Sequence, residues 1–202
     1  MNRKHIICFG DSNTHGYCGD ADFDGVPQPG GAMRFSEASR WPRLVQAALG
    51  EEYLIIEEGL NGRTTVFEDP FRNGITGAGY IWPCLMSHKP VNLLILMLGT
   101  NDCKIDKSRS AEDVGAGMDK LVRLVIGMLP AWTKILLVAP PPLGPSAPQR
   151  DPEYDAQSLA VSQGVAAQYQ MIAEAYGLRF LDAGTVAQMS ALDGEHLDPD
   201  GH

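Results

Sequence analysis

The run 91–98 is apolar on both faces, and this restricts the fold more than any other feature of the chain. A strand without a polar face must be covered on both sides, as at the centre of a parallel sheet with helices above and below. Four further β-prone runs, 4–9, 53–56, 134–139 and 179–181, share the chain with helical patterns. In 40–50, Pro42 suits a first turn, Leu44, Val45, Ala48 and Leu49 form an apolar face, and Gly50 is placed as a C-cap. The segment 80–89 is a short helix candidate. Ser110, with Asp113 three residues on, opens a helix reaching about Leu129, in which Val114, Met118, Leu121, Val125 and Met128 share one face. A helix over 155–176 carries Val165, Tyr169, Ile172 and Tyr176 inward. Strands alternating with helices imply right-handed crossovers, hence an α/β fold of three layers, α/β/α, around a five-stranded parallel sheet. With 202 residues and 44% apolar content, the chain suits one core, so 1–202 is expected to be a single domain.

The first run breaks at Gly10-Asp11-Ser12-Asn13, which would deliver a serine to the open end of the sheet. Taken alone, that tripeptide is ordinary turn chemistry. Similar polar clusters follow two other runs: Asn61-Gly62-Arg63 and Gly99-Thr100-Asn101-Asp102. Gly62 can take positive φ and so turn a backbone N–H toward the neighbouring strand end. Near the C-terminus, Asp193-Gly194-Glu195-His196 puts a carboxylate and an imidazole three positions apart in a turn. From there Asp193 can reach Nδ1 while Nε2 of His196 faces a serine. The plainer alternative is a turn leading into a helix, with Asp198 as N-cap. His202 is a rival base. Acyl transfer from an ester needs a nucleophile, a base, a group that orients the base, and donors for the oxyanion. Ser12, His196 and Asp193 can fill the first three roles. The stretch 17–39 is rich in Gly, Pro and Asp and reads as a long loop beside Ser12, either a pocket wall or a surface excursion. The segments 66–79 and 143–153 are loop-like as well.

A net charge of −9 without a Lys/Arg stripe repels phosphate backbones and anionic lipid, so neither nucleic acid nor membrane is expected as a partner. Cys8, Cys18, Cys84 and Cys103 show no C-x-x-C spacing, which argues against zinc and for free thiols in a reducing compartment, with Cys8 and Cys84 buried. Arg3 and Lys4 precede an apolar run too short for a secretory leader, and no stretch reaches the roughly 20 apolar residues of a membrane span. A cytoplasmic location is the expectation. His5 and His88 read as structural or exposed, and His15 as pocket lining. No Gly-x-Gly-x-x-Gly and no Walker-type lysine is present, and no cofactor is expected.

Taken together, Phe9-Gly10-Asp11-Ser12, Gly59-Leu60-Asn61-Gly62-Arg63, Leu98-Gly99-Thr100-Asn101-Asp102 and Asp193-Gly194-Glu195-His196 resemble the blocks of the SGNH (GDSL-type) hydrolases, in that family's order. The resemblance implies a flavodoxin-like strand order 2-1-3-4-5 and a catalytic set of Ser12, Asp193 and His196. It also implies an oxyanion hole of the Ser12 and Gly62 backbone N–H groups and the Asn101 amide, with no metal. Asn13 and Tyr17 are read as substrate-binding. The segments Ile56-Glu57-Glu58-Gly59-Leu60, Arg63-Thr64-Thr65, Asp69-Pro70 and Leu96-Met97-Leu98-Gly99-Thr100-Asn101-Asp102 are similar to the bacterial arylesterase and acyltransferase subgroup. That likeness implies a serine esterase acting on small esters with short acetyl-type acyl chains or aryl leaving groups, with water or an alcohol as acceptor, in a homo-oligomer. Glu195 and Asp198 add negative charge near His196, so neutral esters are expected over anionic ones.

Resembling proteins continue past the position of His202 into a final helix, so the domain is expected to lack that helix or to be truncated before it. Loops 17–35 and 143–153 diverge most, which leaves thioesterase, lysophospholipase and carbohydrate acetylesterase activities open. A reading of another class, a flavodoxin-like domain cradling a phosphate or cofactor, leaves Asp193 and His196 unexplained. A catalytically dead scaffold would not need the full polar set.

Overall fold

The computed structural model describes residues 3–19, 25–27, 33–69 and 72–202. Its elements run β1 Lys4–Gly10, α1 Ser12–His15, β2 Tyr17–Cys18, β3 Gly25–Pro27, β4 Met33–Phe35, α2 Trp41–Leu49, β5 Tyr53–Gly59 and α3 Gly77–Ser87. Then follow β6 Leu93–Met97, α4 Ala111–Met128, β7 Lys134–Ala139, α5 Ala147–Arg150, α6 Ala156–Tyr176 and β8 Arg179–Asp182. Five strands form one parallel sheet in the order β5-β1-β6-β7-β8, which is 2-1-3-4-5 when only these strands are counted. The chain goes from β1 outward to β5 and then back across to β6. The ends of β1 and β6 therefore flank the point where the winding reverses, and ligands of open α/β sheets bind at such a point.

Alternation along β1 sends Ile7 and Phe9 to one face and Ile6 and Cys8 to the other. On the first face the strands pack with Ile81 and Leu85 of α3, Met118, Leu121 and Val125 of α4, and Val165 and Tyr169 of α6. The second face is smaller, with Trp41 and Val45 of α2 packed against Ile55, Ile95, Met97 and Val138. An apolar trough remains there between α2 and the segment around Val186 and Leu197. Among the described residues no helix is long and apolar enough to cross a membrane. All four cysteines are buried, and none is in a disulfide among the described residues.

Several expectations need correction. The stretch 17–39 is not all loop: β2, β4 and β3 make a small antiparallel sheet, while 20–24 and 28–32 lie outside the described residues, as does Pro70. The second strand of the main sheet does not stop at Ile56. It runs to Gly59 because both following carboxylates find partners, Glu57 in a two-point bond with Arg40 (2.8 and 3.0 Å) and Glu58 with His88 (2.7 Å). Helix α3 begins at Gly77 rather than Tyr80, since the Thr76 hydroxyl accepts the Gly79 N–H at 3.1 Å and caps it. On α2, Leu44 and Leu49 are each 41% exposed, and Trp41 takes the place on the sheet assigned to them. The 143–153 segment contains the short α5. At the C-terminus the Asp198 side chain accepts the Gly201 N–H (2.8 Å) and its carbonyl accepts that of His202 (3.0 Å), a capped single turn.

Two buried acids lie beneath the strand ends. Burial pushes the Asp102 carboxyl up to about 7, against the opposing hydrogen bonds from Thr65. Burial likewise raises Asp11 to about 6, opposed by the Asn13 N–H. An unfolded aspartate loses its proton near 3.9, so between about pH 4 and 7 the folded chain holds more protons and these groups lose stability as pH rises. An amide at 102 has the neutral shape of the acid and no proton to lose. The stability of Asp102→Asn relative to wild type, from urea unfolding, is expected to climb by a few kcal/mol from pH 4 to 7.5. Each tenfold difference in proton affinity between the folded and unfolded acid contributes about 1.4 kcal/mol to that climb. A pH-independent difference between the two proteins would contradict this assignment.

Candidate active site

Strand β1 ends at Gly10, and Asp11 caps α1 by accepting the Asn13 N–H at 2.9 Å. That cap places Ser12 as the first residue of α1, buried at 4% exposure. The tight turn needs glycine at the end of β5, where a Cβ on residue 59 would overlap the His15 backbone. The partner segment arrives from the other end of the chain. Ser190 N donates to His196 O (2.7 Å) and Gly194 N to Ser190 O (2.8 Å), closing a compact loop. Within it Asp193 Oδ1 accepts the backbone N–H groups of Glu195 and His196, each at 3.0 Å, which leaves Oδ2 to face the imidazole.

Three side chains thus form one line. Asp193 Oδ2 is 2.8 Å from His196 Nδ1, and His196 Nε2 is 3.0 Å from Ser12 Oγ. Burial alone would raise the Asp193 carboxyl, but the His196 hydrogen bond and charge, with the two backbone donors, leave it below its ordinary value. Glu195 supplies a second carboxylate, Oε1 lying 3.6 Å from Nδ1, and its own pKa is raised by burial. Asp193, Glu195 and His196 also have donor atoms close enough together to hold a metal ion. An ion there would take Nδ1 away from Asp193.

The loops that follow β5 and β6 meet beside the serine. Leu60 N donates to Gly10 O at 3.1 Å, tying the first loop to the serine strand. Gly62 has φ +78°, where a side chain would be strained and would press on Arg72. Asn101 Nδ2 donates to Arg63 O at 3.2 Å and has a second amide hydrogen for another acceptor. Among the described residues the N–H groups of Ser12 and Gly62 donate to no protein acceptor. Arg63, 3% exposed, lies over the Phe9 ring at 4.3 Å and donates to the carbonyls of Gly10 (2.8 Å) and Glu58. Asp102 holds the backbone N–H of Thr65 at 3.0 Å, so the two loops are locked to each other as well as to β1.

Every residue assigned to the site from sequence lies in this region. Asn13 is 1% exposed, and its amide holds structure together: Nδ2 donates to Glu195 O at 3.1 Å and Oδ1 accepts the Leu197 N–H at 2.9 Å. It clamps the histidine segment to the serine turn. Tyr17 stands against the imidazole, ring centroids 4.4 Å apart, and is half-buried, as a pocket-lining residue would be. His202 instead packs edge-on to Phe35 at 5.2 Å and takes the Trp41 N–H at 3.5 Å, a place that does not serve Ser12. His15 sits beside the Arg34 and Arg40 guanidiniums, which together with burial lower its pKa. Arg63, Thr65 and Asp102 carry structural duties at the site that the sequence reading did not separate from their motifs. Their signal, polar side chains directly after apolar runs, is shared with any strand end.

A serine and a histidine held by chain segments at the switch point of a five-stranded parallel sheet, flanked by Gly62 and Asn101, make this an SGNH-type ester hydrolase. The chain belongs to the GDSL-like lipase/acylhydrolase family, whose model matches residues 8–202. Among solved structures it is similar to an aryl esterase from M. smegmatis, with 35% identity, TM-score 0.84, and 98% of this chain and 92% of that one covered. A carbohydrate acetylesterase from Sinorhizobium meliloti is similar at 34% identity and TM-score 0.87, covering 98% and 93% of the two chains. A lipase/acylhydrolase from Enterococcus faecalis shares the fold at 19% identity and TM-score 0.62, over 96% and 87%. A search of curated proteins gave no match.

Proposed function

We propose that the protein is a serine esterase that removes short acetyl-type acyl groups from small neutral esters, aryl esters included, through an acyl-enzyme. The observation that carries this is the unbroken line from Asp193 Oδ2 through His196 to Ser12 Oγ, at 2.8 and 3.0 Å. Ser12 Oγ attacks the ester carbonyl while its proton passes to His196 Nε2, and Asp193 stabilises the imidazolium. The N–H groups of Ser12 and Gly62 and the Asn101 amide take the developing oxyanion. Collapse breaks the bond to the leaving alcohol, which receives the proton from Nε2. Water, or an alcohol in acyl transfer, then attacks the acyl-Ser12 and repeats the proton exchange in reverse. No cofactor takes part in these steps. The resemblance to the arylesterase and acyltransferase subgroup supports a homo-oligomer, and the net charge of −9 supports a partnership with neither nucleic acid nor membrane. Four buried cysteines, none in a disulfide among the described residues, support a cytoplasmic site of action.

Brief incubation with p-nitrophenyl acetate and acid quenching should leave one acetyl group on Ser12 by peptide mass spectrometry. Adding an alcohol should then yield its acetate ester if transfer competes with hydrolysis. An acetyl group found only on other residues, with turnover intact, would remove Ser12 from the mechanism. Likeness to a carbohydrate acetylesterase at nearly the same identity supports acetylated sugars as a second substrate class. The ratio of kcat/KM for acetylated sugars and phenyl acetate separates the two.

Asn101→Ala is expected to lower kcat about 10²–10³-fold with little change in KM, because the amide acts on the oxyanion and not on the ground-state ester. A change confined to KM would assign Asn101 to substrate binding. Glu195 beside the imidazole puts a carboxylate at the mouth of the site. Acetyl esters of neutral alcohols are therefore expected to outperform those of carboxylate-bearing alcohols, with the gap narrowing in high salt. Equal kcat/KM for the two would count against that reading.

A further inference from the structure

At the β5 edge of the main sheet, Glu58 meets Cys84 of α3 and His88 at the end of that helix. The last two stand four positions apart, one helical turn, so their side chains share a face of α3 and its C-cap. Donor atoms of all three residues lie within 4.8 Å of one another, with Glu58 Oε1 2.7 Å from His88 Nε2. We propose that this cluster is a binding site for a thiophilic divalent transition-metal ion, of which zinc is the type, held by Cys84 Sγ, His88 Nε2 and Glu58 Oε1.

The donor set selects the class of ion. One sulfur, one imidazole nitrogen and one carboxylate oxygen suit a borderline-soft tetrahedral cation, whereas calcium and magnesium take oxygen donors. Tetrahedral bonds to these donors put ligand atoms about 3.3–3.8 Å apart. The Glu58–His88 contact, at 2.7 Å, has to open by roughly half an ångström or a little more to reach that range. Access is built in: the Cys84 side chain is fully buried, but those of His88 and Glu58 are 31% and 16% exposed, leaving an outer position for a water ligand. The His88 backbone is already fixed, its carbonyl 3.0 Å from His5 Nδ1.

On binding, the Cys84 S–H bond breaks as the sulfur–metal bond forms, and the proton leaves to solvent. The proton that Nε2 and Glu58 share in their hydrogen bond moves to His88 Nδ1 or leaves to solvent, so that Nε2 contributes its lone pair and Glu58 binds as the carboxylate. Thiolate and carboxylate together cancel the charge of a divalent ion. That cancellation matters because the Arg63 guanidinium is close by, its charge acting on both Glu58 and Cys84. A hard cation, which does not displace the thiol proton, would leave that repulsion uncompensated and should not bind. The absence of C-x-x-C spacing, read from the sequence as an argument against zinc, does not bear on a mixed site whose third ligand comes from a separate element, β5. The proposal rests on β5 and α3 and on no part of the esterase reading.

The test is titration of the metal-free protein with cobalt(II), whose tetrahedral thiolate complexes show a near-ultraviolet charge-transfer band and intense visible bands. One equivalent should produce both, zinc should bleach them, and zinc but not magnesium should raise Tm. Cys84→Ser should lose the charge-transfer band. His88→Ala and Glu58→Gln should weaken zinc binding at least about tenfold, since even outer-shell changes at metal sites cost that much. His196→Ala, which removes the other possible cluster, should bind zinc as wild type does. Circular dichroism and metal-free esterase rate check that Cys84→Ser and His88→Ala are folded. The proposal is overturned if wild type gives no thiolate band, if the band survives in Cys84→Ser, or if His196→Ala and not His88→Ala loses the zinc. The Glu58–His88 contact would then be a plain hydrogen-bonded pair.

Discussion

Replacing Ser12 by alanine is expected to lower kcat on p-nitrophenyl acetate by about 10⁴-fold or more while leaving Tm within a few degrees of wild type. The size follows from losing the attacking atom itself, so that only positioning and the oxyanion donors remain to act on a water. The small change in stability follows from how little Oγ does for the fold. Its hydrogen bond goes to His196 Nε2, and the residue is capped in place by backbone and by Asp11. Rates measured on both proteins after matching their unfolding curves give a clean comparison. Unchanged turnover in a folded Ser12→Ala protein would be fatal to the acyl-enzyme scheme.

Asp193→Asn should cost about as much, around 10⁴-fold in kcat near neutral pH, and for a reason specific to this loop. Oδ1 accepts two backbone N–H groups, from Glu195 and His196, so an amide at 193 must keep its oxygen there. Its NH₂ then faces His196 Nδ1, which has to become the acceptor. The imidazole proton is driven to Nε2, where the base needs a lone pair for Ser12. Asp193→Ala creates no such inversion, and Glu195 Oε1, 3.6 Å from Nδ1, remains as a partial substitute. The alanine variant is therefore expected to be the more active of the two, an unusual order that steady-state kinetics can check. The reverse order would mean that Glu195 gives the imidazole no support and that tautomer control is not the issue.

The layers and strand order could be read in advance because they follow from local rules: apolar runs without a polar face need cover on both sides, and the order came with the four recognisable blocks. The contacts at the site were read unevenly. Asp193 and His196 share a turn, so their mutual reach was visible in the spacing. The Asn13 clamp was hidden because an asparagine after a serine at a strand end looks the same whether it faces substrate or takes up a backbone carbonyl 182 residues away. Leu44 and Leu49 were placed inward since periodicity finds an apolar face but not what lies opposite it. The extension of β5 through Glu57 and Glu58 was hidden for a related reason. Two adjacent carboxylates look like the end of a strand until Arg40 and His88, neither of them near in sequence, supply their partners.

The Asn13 clamp has a consequence for how this activity comes into being during synthesis. Strands β1, β5 and β6, the serine turn and the loops carrying Gly62 and Asn101 all precede α4, whereas Asp193 and His196 follow β8. A nascent chain that has reached only β6 carries the serine without Asp193 or His196. Two hydrogen bonds of one amide, Asn13 Nδ2 donating to Glu195 O and Oδ1 accepting the Leu197 N–H, join the serine turn to that later segment. The contact between His196 Nε2 and Ser12 Oγ can form only once translation has passed that segment and it has docked on Asn13.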